Sequence, residues 1–258
     1  MATNGTGARA RRRVLAAVVA LALGAAPLLA GCTSEEGTPA TATASATGVA
    51  GGQPNGVAEL EPDRILDLAT KAALERTSVA ITGDAPSGDG PVSLDLELVR
   101  DTGGQGTVSN AGQAIDVVVI SPDAWISADR EFWAATAGEA VADAIDGRWV
   151  QASTTDPDYA GVAGLADYQQ VLKGLLSPAG DVAKGELGEV DGRPAIALTS
   201  SAGELWVATT GLPLPLQITR QDGQGTVTFA DWDADVDLAP PPAADVVSAD
   251  ALPGGGLP

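Results

Sequence analysis

Between Val92 and Arg100 the chain reads VSLDLELVR, so that Val92, Leu94, Leu96 and Leu98 alternate with Ser93, Asp95 and Glu97. Successive side chains of a β-strand point to opposite faces, so this segment has one apolar face and one acidic, wet face. Such a strand belongs to an antiparallel sheet with one side packed and one side solvated. Shorter strand signals flank it at Val79–Gly83, Ala114–Ser121 and Trp125–Ser127, with a strand edge at Trp149-Val150. Gly103, Gly104 and Gly106 predict a turn between Val92–Arg100 and Ala114–Ser121. The last third is strand and turn throughout. Lys184–Val190 and Pro194–Thr199 flank Asp191-Gly192, a strong hairpin signal, and Glu204–Thr209, Leu214–Gln221 and Gly225–Trp232 follow.

Three helices punctuate these strands. Pro62 opens the first, where Ile65, Leu68, Ala69, Ala72 and Ala73 recur at helical spacing. The second is predicted over Glu131–Ile145, with Trp133, Ala137, Ala140, Val141 and Ala144 on one face. The third covers Leu165–Leu176, with Leu165, Tyr168, Val171, Leu172 and Leu175 inward, and Pro178 ends it. Helices segregated to one side of an antiparallel sheet make an α+β fold.

The start of the chain is of another kind. Arg9, Arg11, Arg12 and Arg13 precede an apolar run from Val14 to Ala30, and Leu29-Ala30-Gly31-Cys32 closes it. This is the basic, apolar and small-residue order of an export signal. Seventeen residues broken by Gly24 and Pro27 are short for a membrane span. The tetrapeptide resembles the lipobox of bacterial lipoproteins, which implies that Cys32 carries a diacylglycerol-type anchor and begins the mature protein. The alternative is a plain signal peptide with a chance or buried thiol. Arg11-Arg12-Arg13-Val14-Leu15 resembles a twin-arginine signal, and is equally an ordinary basic leader. The chain therefore divides into a signal peptide over 1–31, a lipidated Cys32 with a Thr/Ala/Gly-rich tether over 32–58, a folded domain over 59–240 and a Pro/Gly-rich tail over 241–258. The tether is expected to be disordered, and the prolines of the tail are expected to stop any sheet.

Charge and composition narrow the function. The first 31 residues hold four arginines and no acid, leaving 10 basic against 34 acidic residues, a net charge of −24. That field repels nucleic acid and anionic headgroups, so membrane attachment must come from acyl chains. No histidine is present, and Cys32 is the only cysteine. Ser-His-Asp and Cys-His catalysis, thiolate chemistry and His- or Cys-ligated zinc are thereby excluded. No cofactor is implied, and the chain reads as non-enzymatic.

Several strings resemble the LppX/LprAFG-type actinobacterial lipoproteins, which share the LolA-like fold. They are Val117–Trp133 (VVVISPDAWISADREFW), Asp146-Gly147-Arg148-Trp149-Val150, Leu205-Trp206-Val207, Thr210-Gly211-Leu212-Pro213-Leu214 and Thr228-Phe229-Ala230-Asp231-Trp232. The resemblance spans roughly residues 59 to 248. It implies a strongly curved antiparallel half-barrel with helices on its concave face and an apolar cavity that holds a lipid or other amphiphile at the outer face of the cytoplasmic membrane. The lining it implies is Leu94, Leu96, Leu98, Val117, Val119 and Leu172, with Phe132 and Trp133 at the cavity mouth. The competing reading gives these residues to a solid core, and the function to docking of an envelope protein partner through the acidic surface. Trp149, Trp206 and Trp232 read as core pillars with their indole N–H satisfied at the surface.

Asp231, Asp233, Asp235 and Asp237 fall on every second residue. In a strand all four would project from one side, where a hard cation such as calcium could bind. Val236 and Pro242 stand where a calcium-binding loop needs Gly and Glu, which favours a solvated strand face and no metal site.

Overall fold

The computed structural model describes residues 52–87, 90–157, 159–178, 180–221 and 225–253. Cys32, the signal segment and most of the tether lie outside them. One large, curved sheet of 12 strands forms the body, in the order β12-β6-β5-β4-β3-β2-β1-β11-β10-β9-β8-β7. The N-terminal half supplies β1 (Ser78–Ser87), β2 (Gly90–Val99), β3 (Gly103–Asn110), β4 (Gln113–Ile120), β5 (Asp123–Ala128) and β6 (Trp149–Ser153). The C-terminal half supplies β7 (Ala183–Val190), β8 (Arg193–Ser200), β9 (Gly203–Ala208), β10 (Pro215–Arg220) and β11 (Thr226–Ala230). The halves meet where β1 pairs antiparallel with β11, Ala80 opposite Ala230.

β2 has the faces its alternation predicts. Leu96 and Leu98 are buried and Leu94 half-buried, while Ser93, Asp95 and Glu97 are exposed. The register carries this alternation across the sheet, with Leu96, Gly106, Val117, Ile126 and Val150 as successive neighbours on the inner face. On the outer face Asp84, Glu97 and Asp116 accept hydrogen bonds from Ser93, Gln105 and Thr107, neutral donors that leave the carboxylate charge uncompensated.

The glycines at 103, 104 and 106 are not a turn. They begin β3, and the turn before it is Arg100–Thr102. A Cβ on Gly106 would lie 2.0 Å from the Asp95 carbonyl oxygen, and its φ of +145° suits only glycine. These residues are selected for close strand approach, which composition alone cannot tell from turn formation.

Five helices cover the inner face. In α1 (Pro62–Leu74) Pro62 occupies the first turn, where no N–H is needed, and Ile65, Ala69, Ala72 and Ala73 are buried. The predicted helix over Glu131–Ile145 is two: α2 (Arg130–Thr136), capped by Asp129 accepting from the Phe132 N–H at 2.6 Å, and α3 (Glu139–Ile145). Gly138 separates them at φ +96°, its N–H returning to the Trp133 carbonyl at 3.1 Å. The third predicted helix is α5 (Tyr168–Leu175), which starts later than Leu165 and is capped by Asp167 on the Gln170 N–H at 2.7 Å; before it stands a short helix that the spacing did not reveal, α4 (Ala160–Leu165).

Both ends of the domain are better ordered than their composition predicts. Val57 is buried, and Pro54 pairs with Thr210, so the last residues assigned to the tether belong to the fold. Past the prolines, β12 (Val246–Ser248) runs parallel to β6, and Ala249 and Leu252 join the core. The prolines precede this strand and occupy none of its hydrogen-bonding positions.

The acidic repeat is no strand either. β11 ends at Ala230, and Asp231 and Asp233 have positive φ, so the four carboxylates do not share a face. Asp233 instead accepts from the Thr77 N–H at 2.7 Å, the Thr77 hydroxyl at 2.9 Å and Arg76 at 2.9 Å. Among the described residues no three acids come close enough to hold a metal ion.

Candidate functional site

The space between the sheet and its helices is the natural place for an apolar ligand, and the sequence-selected residues converge on it. Leu96, Leu98, Val117, Val119, Trp133 and Leu172 belong to one buried cluster, with Leu94 and Phe132 packed against it. Leu98 and Leu172 are 0% exposed and Trp133 1%, so they touch one another and their neighbours rather than a water-sized void. Phe132, half-buried, and Trp133, buried, meet edge-to-face with ring centroids 5.2 Å apart.

The accessible space lies beside the cluster. A groove of about 770 Å³ opens between the strand ends and the α4–α5 pair. Val99 and Val119 floor it, and Ala160, Ala163 and Gly164 of α4 roof it. Its edge is polar, with Asp101, Thr102, Ser121 and Thr154 on the sheet side and Asp167, Gln169, Gln170 and Lys173 on the helix side. Of the eight residues selected from sequence, Val119 alone lines it. The rest of its lining comes from turns, strand ends, the small-residue helix α4 and the polar side of α5, which share no hydrophobic periodicity. The signal that existed was the run AGVAGL at Ala160–Leu165, too short in apolar bulk to be a core helix.

Tyr168 anchors the groove's inner end. Its hydroxyl donates to the Ala73 carbonyl at 2.8 Å, and burial pushes its pKa above the ordinary tyrosine value. On the other side of α5 a second groove of about 500 Å³ runs between α1 and the α5 C-terminus, lined by Leu66, Thr70, Leu74 and Leu176 among others.

Two buried donors lack acceptors. The indole N–H groups of Trp133 and Trp232 have no hydrogen-bond partner among the described residues. For Trp232, stacked 6.1 Å from Phe229, this corrects the expectation of a satisfied surface N–H. An unpaired buried donor costs about 1–3 kcal/mol.

No protein-family profile matches the chain, and no curated protein matches it. Among solved structures the fold is similar to LprF from Mycobacterium bovis, at 13% identity and a TM-score of 0.45, over 74% of this chain and 99% of that one. It is also similar to the lipoprotein LppX of Mycobacterium tuberculosis, at 13% identity and a TM-score of 0.40, over 69% and 98%. MucB of Pseudomonas aeruginosa, solved in complex with MucA, matches at 14% identity and a TM-score of 0.32, over 68% of this chain and 59% of that chain. The likeness is one of fold: a large, open, curved antiparallel sheet with helices against it.

Proposed function

We propose that this is a membrane-anchored, extracytoplasmic, non-enzymatic lipoprotein, diacylated at Cys32, that holds the acyl part of a lipid-like amphiphile between its curved sheet and its helices. The observation that carries the reading is the groove under α4 and α5. At about 770 Å³ it lies within the range of small-molecule sites, roughly 300–1,000 Å³. Its wall is apolar below and polar at the edge, which suits a molecule with a hydrocarbon end and a polar end. The face that α4 turns to it is small-sided, Ala160, Ala163 and Gly164. Lifting the α4–α5 pair would bare Leu172 on α5 and open the way past Val119 to Leu98 and Val117, with Leu94, Leu96, Phe132 and Trp133 beyond. Each methylene that enters gains about 0.8 kcal/mol. The unpaired N–H of Trp133 fits the same reading, because an ester carbonyl would satisfy it.

The test is mass spectrometry on residues 52–258, expressed without signal or Cys32 and purified without detergent. Native and denaturing spectra are compared, and whatever dissociates is extracted into organic solvent. A near-stoichiometric acyl compound supports the reading. An apo mass that stays unchanged after incubation with envelope lipids overturns it.

A second reading, docking of an envelope protein partner, rests on the outer face, where Asp84, Glu97 and Asp116 accept from the neutral donors Ser93, Gln105 and Thr107. It predicts a basic partner whose capture is lost when Asp95, Glu97 and Asp116 are replaced by the corresponding amides.

A further inference from the structure

Two large hydrophobic side chains stand exposed among the described residues, Leu187 at 68% and Leu212 at 48%. Both lie on the β7–β10 flank, and the chain arriving from Cys32 joins the domain on that same flank. The Asn55 N–H donates to the Thr209 carbonyl at 2.9 Å, its side-chain amide donates to Ala208 at 3.0 Å, and the Gly211 N–H donates to Gln53 at 3.3 Å. The tether is thus stitched to the β9–β10 turn, next to Leu212.

The joint is uncharged on both sides. Residues 37–58 contain no charged side chain, and neither do residues 205–219, in a chain with 34 acids. The adjoining β7–β8 turn contributes one charge of each sign, Asp191 and Arg193. An anionic bilayer repels the outer face of β1–β4 but meets no net charge in these three segments.

The register places this joint relative to the groove. Across the sheet the pairs Val190–Arg193, Ala195–Ala208, Val207–Pro215, Ala80–Ala230, Ser78–Val99, Gly103–Ile120 and Asp123–Ser153 mark one continuous set of strand ends. The turn carrying Leu212 and the groove residues Asp101, Thr102, Ser121 and Thr154 therefore share one rim of the half-barrel.

We propose that the domain rests on the bilayer by this rim, with Leu212 seated at the headgroup boundary and the groove open toward the lipid. The inference rests on the reading of Cys32 as the lipidated residue. The partner is a lipid surface, argued from the point where the anchored chain attaches, the exposed leucine beside it and the lack of charge around both.

The experiment uses the full chain, exported and processed in a bacterial host, then reconstituted into phosphatidylcholine–phosphatidylglycerol vesicles. Leu212→Cys and, on the opposite rim at the β3–β4 turn, Gln113→Cys are each labelled with an environment-sensitive fluorophore. Quenching is read with a nitroxide carried on the lipid and with aqueous iodide. The expected result is several-fold stronger lipid-borne quenching at 212 than at 113, with iodide showing the reverse. Equal quenching at both positions in protein that floats with the vesicles overturns the orientation and leaves the anchor standing. Protein that fails to float overturns the anchor and the proposal with it. A label at 212 shielded from iodide yet untouched by the lipid-borne nitroxide means that protein covers Leu212, and also overturns membrane docking.

Discussion

The two halves of the sheet solve the same packing problem differently. In the β1–β6 half the inner face is covered by α2 to α5, four helices of six to eight residues, and the outer face is acidic and wet. In the β7–β10 half the inner face carries one longer helix: Ile65 and Ala69 of α1 pack with Val57 on Ile196, Leu198 and Val207. The outer face there is apolar too, with Val190, Ala195, Ala208 and Leu216 gathered around Trp206. Gly188 makes room for that indole, since a Cβ on it would come within 2.8 Å of the ring. Short helices are marginal alone and depend on what they bury. On the proposed function the cover of the first half has to move to admit a ligand, while that of the second does not.

The strongest test sets one buried residue of each half against the other. Leu98→Ala and Ile65→Ala both delete a fully buried side chain, and each should cost about 2–5 kcal/mol in urea unfolding. A long-chain fatty acid should restore stability to Leu98→Ala by filling the space, and should leave Ile65→Ala where it was. Equal rescue, or none in either, removes the distinction between a movable and a fixed half.

The next largest effect concerns strand approach. Gly106→Ala forces a Cβ against the Asp95 carbonyl at a φ of +145° and should cost about 3 kcal/mol or more. Gly112→Ala, at the β3–β4 turn with nothing within 4 Å, should cost only about 1 kcal/mol for its φ of +85°. Thermal unfolding of the two variants side by side reads this difference directly.

What could be read from the sequence follows the same division. The β2 alternation, the Asp191-Gly192 hairpin and the α1 stripe are local patterns whose period survives into the fold, so ten of the twelve strands and the fold class were legible. Helix breaks at Gly138 and Ala166–Asp167 were not, because apolar spacing continues across them and only the cap geometry shows the stop. Gly103–Gly106 looked like a turn because glycine serves both a positive φ and a close approach. The core members Leu96, Leu98 and Leu172 were legible as apolar positions. The groove was not, because Thr102, Ser121, Thr154 and Ala163 come from four separate segments with no shared pattern. The β12 strand hid behind three prolines that it does not contain.

A smaller effect tests how the halves are linked. α1 belongs to both: Ile65 and Ala69 face the second half, while Ala73 faces the first and accepts from the Tyr168 hydroxyl at 2.8 Å. Tyr168→Phe removes that hydrogen bond, while the carbonyl keeps the Arg76 N–H at 3.1 Å, and should cost about 0.5–1.5 kcal/mol. If α5 is a movable wall, the same variant should bind an acyl probe faster, since one tie between α5 and α1 is gone. A slower rate in stopped-flow binding would place Tyr168 among the groups that hold the ligand instead.

The smallest effect lies at the seam, where β1 meets β11. Asp233 ties the segment after β11 to the α1–β1 turn, and the Thr77 N–H, then the Thr77 hydroxyl and Arg76, hold its carboxyl below the usual carboxylate range. A lowered folded pKa means that the unfolded chain binds the proton more readily. The stabilisation is thus fully present above the ordinary aspartate value of about 3.9 and is lost as pH falls below it, through the lowered folded value. Asp233→Asn should cost about 1 kcal/mol at pH 7, because the side chain is 40% exposed and the ion pair with Arg76 is screened. The difference between wild type and variant should shrink on acidification through pH 4 and vanish at lower pH. A difference that stays constant from pH 7 to pH 3 would assign the loss to the geometry of the turn rather than to its charge.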